Sequence, residues 1–321
     1  MAIFPTIAAD VKAGLPFAWN RVDRVDPSPQ HSTLPERYDV SLMTNGSRQA
    51  PHDRRRPGRK AYLLITLFAL LMVLFPFLFW YYTWFGRKLS DRDLDQYFAD
   101  KSKPRHAQHA LVQVGERLAH RQNVSHWYPD VIEQASSPNL ELRETAAWIM
   151  GQDRTYAPFH EALLRLLHDP QPLVRRNAAL SLALFGDAAG RPELVAMLRP
   201  FTIRATAGGK LKYRLKLGDY VNPGTLIGRV GETEVRSAVP GEVRALDRSD
   251  GASVQPGDPL ADLAAAPDHV REALRGLFLV GEPADLEDVQ RFARPAAGIP
   301  EDIMRQANYT AGQIQNRASQ R

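Results

Sequence analysis

The sequence predicts an α+β protein of several parts: one membrane-spanning helix, an array of paired helices, and an all-β sandwich set within that array. Three observations carry this prediction. Residues 61–85, AYLLITLFALLMVLFPFLFWYYTWF, hold no charged side chain. Downstream, a helical pattern repeats at an offset of 32 residues. Residues 202–264 then switch to short alternating strands, duplicated at an offset of 33. The expected division is a disordered or partner-bound basic tail over 1–60, a transmembrane helix over 61–86, helical repeats over 90–200, a β domain over 202–265, and further helices over 267–318.

The apolar run matches a bilayer's hydrocarbon core, roughly 30 Å thick and crossed by about 20 residues. A globular helix of that length rarely carries apolar residues on every face. Pro76 removes a backbone donor and predicts a kink, which membrane helices tolerate. Trp80, Tyr81, Tyr82 and Trp84 supply an aromatic belt at one end. Arg55, Arg56 and Lys60 supply basic contacts at the other. Six basic residues lie between Arg48 and Lys60, against four after the span, Arg87, Lys88, Arg92 and Lys101. That excess predicts a single-pass protein of a bacterial inner membrane, its N-terminus cytoplasmic and its body periplasmic. The span starts too late to be a cleaved signal peptide.

The pI is about 9.4. Residues 1–60 carry a net charge of +4 and the remainder only +1. The basicity is thus juxtamembrane, suited to anionic lipid headgroups rather than to nucleic acid. The absence of cysteine excludes disulfides, thiolate metal sites, c-type haem attachment and cysteine nucleophiles. Phe17 and Trp19 in the proline-bearing tail are candidates for docking on a partner or lying among headgroups.

In the repeat region, SPNLELRETAAWIMGQD (137–153) aligns with DPQPLVRRNAALSLALFGD (169–187). Pro138 meets Pro170, Leu142 meets Val174, Arg143 meets Arg175, and Ala146-Ala147 meet Ala178-Ala179. A proline opens the second helix of each unit and a glycine closes it. The pattern at Asp169–Leu182 resembles HEAT repeats, an α-solenoid family of paired helices. That resemblance implies that Arg143 and Arg175 lie between repeats and bond carbonyls or an aspartate. A weaker unit follows at 269–314, where an offset of 34 sets Arg271 against Arg305. The four arginines are therefore expected as structural repeat positions.

Within 202–264, GDYVNPGTLI (218–227) recurs as GASVQPGDPL (251–260), with AVPGEV between. The layout resembles the biotinyl/lipoyl hammerhead, a pseudo-twofold β sandwich. Carrier members of that family bear a lysine at the hairpin between the halves. Here GRVGETEVRSAVPGEV holds none, and Glu232 and Thr233 stand nearest the tip. A swinging-arm carrier is thereby excluded. Related adaptors of export pumps carry a long helical hairpin at that place, and this chain has only a tight turn.

No reaction centre stands out. AGGK at 207–210 lacks phosphate-loop spacing. His106 and His109, with His120 and His126 nearby, lack a placed third ligand set. Asp91, Asp93 and Asp95 lack the rest of a calcium loop and read as a helix cap with Ser90. Glu282, Asp285, Glu287 and Asp288 read as a solvated acidic corner. The sequence-level expectation is a non-catalytic membrane-anchored scaffold or accessory subunit, not an enzyme, without cofactor or metal. Its expected partners are the lipid bilayer and other membrane-complex subunits, respiratory or envelope-transport, with no nucleic acid and no small-molecule substrate. The alternatives are a periplasmic adaptor of an export system and, since some HEAT-like proteins attach bilins, a bilin-lyase-like enzyme.

Overall fold

The computed structural model describes residues 59–80, 88–296 and 298–320. The chain divides into two units, one containing helix α1 (Arg59–Trp80), the other containing the described residues from Leu89 onward. Helix α1 includes Pro76. Its described side chains, Leu63 and residues 65–78, are all exposed. Among the described residues no helix is long and apolar enough to cross a membrane, so the structure does not establish the expected transmembrane helix. Residues 81–86 of that span, and the tail before residue 59, lie outside the described residues.

The second unit is built from helix pairs. They are α2 (Asp91–Ala99) with α3 (Pro104–Ala119), α4 (Tyr128–Gln134) with α5 (Leu140–Met150), and α6 (Ala157–Leu166) with α7 (Pro172–Leu184). Next come α8 (Arg191–Ala196) with α9 (Pro267–Val280), and α10 (Leu286–Gln290) with α11 (Glu301–Ser319). Helices α3, α5, α7, α9 and α11 pack side by side in that order, each backed by its partner. This is an α-solenoid of paired helices.

Local chemistry explains the repeat. The Asn139 side chain accepts from the Glu141 N–H at 2.9 Å and starts α5. Pro172 starts α7, where a missing donor is harmless. Ala146, Ala147, Ala178 and Ala179 are fully buried, so α5 and α7 approach closely. At that approach Ser181 Oγ donates to the Ala147 carbonyl at 2.8 Å. Thr310 Oγ1 does the same to Leu274 at 2.8 Å, two steps further along between α11 and α9. One apolar core runs from Leu94 to Leu182 and centres on Phe159, whose ring lies 4.6 Å from that of Tyr128 and 5.0 Å from that of Tyr156. A second core joins Leu194, Met197 and Leu198 to Val270, Leu274, Leu277, Ile303 and Ile314.

Between α8 and α9 the chain makes eight strands: β1 (Phe201–Arg204), β2 (Gly209–Tyr213), β3 (Tyr220–Val221), β4 (Leu226–Val230), β5 (Thr233–Arg236), β6 (Gly241–Leu246), β7 (Ser253–Val254) and β8 (Pro259–Leu263). They form two antiparallel four-stranded sheets, ordered β1-β8-β6-β3 and β5-β4-β2-β7. Both contribute to one core, with Leu211, Ile227 and Val230 from one sheet and Val221, Val243 and Leu260 from the other. Gly228 in β4 admits a close crossing, since a Cβ there would stand 2.6 Å from the Lys212 carbonyl oxygen. The two halves of the sequence duplication supply β3–β4 and β7–β8, each passing through a Pro-Gly turn with a left-handed glycine, Gly224 at φ 84° and Gly257 at φ 89°.

Candidate functional site

Polar side chains link the stacked helices one to the next. Gln108 of α3 donates through Nε2 to Thr145 Oγ1 of α5 at 2.9 Å. Asn177 of α7 donates through Nδ2 to Glu144 Oε1 of α5 at 3.3 Å. Arg176 of α7 donates through Nη1 to His269 Nδ1 of α9 at 2.8 Å. These residues lie on successive helices of one layer, so they form a polar line along it. Among the described residues, two buried atoms on the line have no hydrogen-bond partner, Gln108 Oε1 and Arg176 Nε. The nearest carboxylate oxygen to that Nε is Glu193 Oε1, at 3.9 Å.

Burial sets the electrostatics of this line. It pushes the Glu144 carboxyl up to about 7, outweighing the Asn177 hydrogen bond. It pushes His269 down to about 4, helped by the Arg176 charge, which fits an imidazole that accepts at Nδ1. It also lowers the Arg176 guanidinium to about 10, against the pull of Glu193. Glu272 of α9 is raised too, chiefly by burial. The Arg176 guanidinium lies 5.9 Å from the Phe201 ring centroid, so the line also meets the first strand of the β sandwich. Chemically, it joins four helices through polar contacts and holds at Glu144 a carboxyl raised to about 7.

A second set of arginines crosses the repeats. Arg143 reaches Asp169 through Nε at 2.7 Å and Nη2 at 3.1 Å, and donates through Nη1 to the Ser137 and Pro138 carbonyls. Arg175 donates to the Asp169 and Pro170 carbonyls and to Glu193 Oε2 at 3.0 Å. Arg271 bonds Asp268 at 2.6 Å and Asp302 at 2.7 Å. Arg305 differs. Its side chain is 68% exposed and, among the described residues, pairs with Glu301 of its own helix, at 4.0 Å. The expected membrane-interface residues Arg55, Arg56, Tyr81 and Trp84 lie outside the described residues, as do the side chains of Lys60 and Trp80.

The histidines of the first helices do not converge. His106 stacks on Tyr97 with ring centroids 4.2 Å apart, His120 Nδ1 lies 2.7 Å from the Glu116 carbonyl, and His126 Nε2 lies 3.3 Å from Asp95. Among the described residues no group of three or more histidine, aspartate or glutamate side chains is placed to hold a metal. Ser90 and Asp93 form a capping box, while Asp95 accepts from Trp127 Nε1 at 2.8 Å. The acidic corner is neutralised by arginines: Arg191 meets Glu282 and Asp285, and Arg199 meets Asp288 at 2.7 Å. Sequence reading missed Gln108, Glu144, Asn177, Arg176 and His269. The one available signal was the doubled Arg175-Arg176, whose second member points away from the repeat contact.

A family model described as HEAT repeats matches residues 128–208. No curated protein matches the chain. Among solved structures, the chain is similar to the complex of CpcE and CpcF of phycocyanin lyase from Nostoc sp. PCC7120, at 16% identity and a TM-score of 0.41, over 73% of this chain and 68% of that one. The expected non-catalytic scaffold, with its adaptor alternative and its denial of enzymatic activity, is corrected here. The matched structure is a complex of the subunits of a lyase, and missing sequence motifs do not by themselves exclude catalysis.

Proposed function

We propose that this chain is a membrane-tethered, bilin-lyase-like helical-repeat protein that engages a protein client along the α3–α5–α7–α9 layer. The observation that carries the proposal is the half-buried polar line on that layer, which joins four stacked helices and includes a carboxyl raised toward neutrality. A solenoid offers an extended surface to a partner. The tether is α1, whose described apolar side chains are exposed on every face and call for a non-aqueous surround. In this reading the inserted sandwich is a biotinyl/lipoyl-like hammerhead without a carrier lysine, its β4–β5 hairpin turning at Gly231 and Glu232. The lyase named above makes a phycocyanin-like protein and a bilin the first client and ligand to try.

The test is extraction from native membrane in mild detergent through a C-terminal tag, with identification of what co-purifies. A client held by the natural chain and released by Glu144→Arg supports the reading. A client held equally by both overturns the recognition face. Release of the chain by a high-salt wash without detergent overturns the tether. Incubation of the captured client with a bilin, followed by intact mass, reads whether covalent attachment accompanies recognition.

A further inference from the structure

We propose that the outer face of the β5-β4-β2-β7 sheet docks on an anionic lipid surface. Lys210, Lys212, Arg214 and Lys216 alternate along β2 and its continuation, and all four are exposed. The intervening Leu211, Tyr213 and Leu215 pack into the sandwich core, which turns every cation outward. Alternate side chains on an extended strand lie about 6.6 Å apart, so the four make a row roughly 20 Å long. Among the described residues none of the four has an ion-pair partner, although most other arginines of this unit do. Lys212 also stands directly across from Arg229 in the β2–β4 ladder. Like charges so placed destabilise a sheet, and Glu234 relieves only the Arg229 side, at 2.9 Å. An external polyanion would neutralise the rest.

The end of the row selects the kind of polyanion. Immediately after Lys216, Leu217 is 60% exposed, and Tyr220 beyond the Gly218 turn is 52% exposed. A basic row that ends in a projecting leucine and a tyrosine matches a headgroup layer, where cations meet lipid phosphates and the apolar side chains enter the acyl boundary. An acidic protein segment or a nucleic acid would use the cations and leave Leu217 in water. The proposal deepens the membrane-tethered reading and rests on it only for bringing the full chain to a bilayer.

The test uses the full chain in vesicles. Because the sequence contains no cysteine, Leu217→Cys gives a unique attachment point for an environment-sensitive fluorophore. Flotation with phosphatidylcholine vesicles reports on α1 alone. In vesicles containing about a third phosphatidylglycerol, the label's emission is expected to rise severalfold and shift to the blue, and to stay unchanged in pure phosphatidylcholine. Lys210→Gln with Lys212→Gln is expected to reduce that response about tenfold or more, with far-UV circular dichroism unchanged. A chain that floats with both vesicles while the label stays silent overturns the docking surface and leaves the tether standing. A chain that floats only with anionic vesicles, with the label responding, keeps the docking surface and removes the tether. A response to polyglutamate but not to vesicles overturns the proposal in favour of an acidic protein partner.

Discussion

Relative to the natural chain, the stability of two single variants should change between pH 7 and pH 5 with opposite signs. His269 titrates at about 4 in the folded protein against an ordinary 6.5. The unfolded chain therefore binds this proton more tightly, and the contribution of a neutral His269 is whole above pH 6.5 and is lost as pH falls toward 4. By linkage about 2 kcal/mol of it disappears between pH 7 and pH 5. Glu144 titrates at about 7 against an ordinary 4.5. Its folded form holds the proton more tightly, so its contribution is whole below pH 4.5 and is lost as pH rises through 7. About 2 kcal/mol returns between pH 7 and pH 5, and the two sites nearly cancel. Glu144→Gln should leave the histidine slope uncovered, and the variant should lose about 2 kcal/mol relative to the natural chain on acidification from pH 7 to pH 5. His269→Gln should gain a similar amount over the same interval. Urea melts of the full chain in detergent, followed by circular dichroism at 222 nm at both pH values, measure the difference directly. Other titrating groups drop out, because each variant is compared with the natural chain at the same pH. If all three profiles ran parallel, the burial and charge assigned to the Glu144–Asn177 and Arg176–His269 contacts would be wrong.

Three further perturbations test the packing by the same melts. Arg143→Met leaves the Asp169 carboxylate, only 6% exposed, without its bidentate partner, and should cost about 3 kcal/mol, much of it recovered when Asp169→Asn is added. Phe159→Ala empties the fully buried centre of the Tyr128–Tyr156 ring cluster and should cost about 4 kcal/mol; a loss below about 1 kcal/mol would mean that the ring is not packed as described. Gly190→Ala would set a Cβ 2.6 Å from the Ala179 Cα, and the forced separation of the α7 and α8 layers should cost about 2 kcal/mol, whereas Gly186→Asn, at a left-handed position with open space, should be nearly neutral.

The repeat was legible because each unit meets the same neighbours. Arg143 and Arg175, equal in offset, both reach two carbonyls five and six residues upstream and an acidic side chain beyond. The change of period at residue 202 and the Pro-Gly turns likewise marked the strands. In the last unit the offset of 34 sets Ala273 against Ala307, both fully buried, but Arg305 does not repeat the contacts of Arg271, which bonds Asp302 of α11 instead. The polar line was illegible for another reason. Arg176 and His269 are 93 residues apart, and their contact depends on how α9 returns beside α7 after the strands. The expectation of no catalysis rested on missing motifs, which record only constellations held at short spacing.

The strands leave and rejoin the helices at one place. Phe201, the first residue of β1, is the register partner of Leu263, the last residue of β8. A module whose two ends emerge side by side adds almost no chain-closure penalty to its host. For the solenoid the sandwich is thus equivalent to a short loop between α8 and α9. This makes the position a natural exchange point, where recombination can trade one cargo for another, and where a reporter of similar end spacing can be grafted without unpicking the repeats on either side.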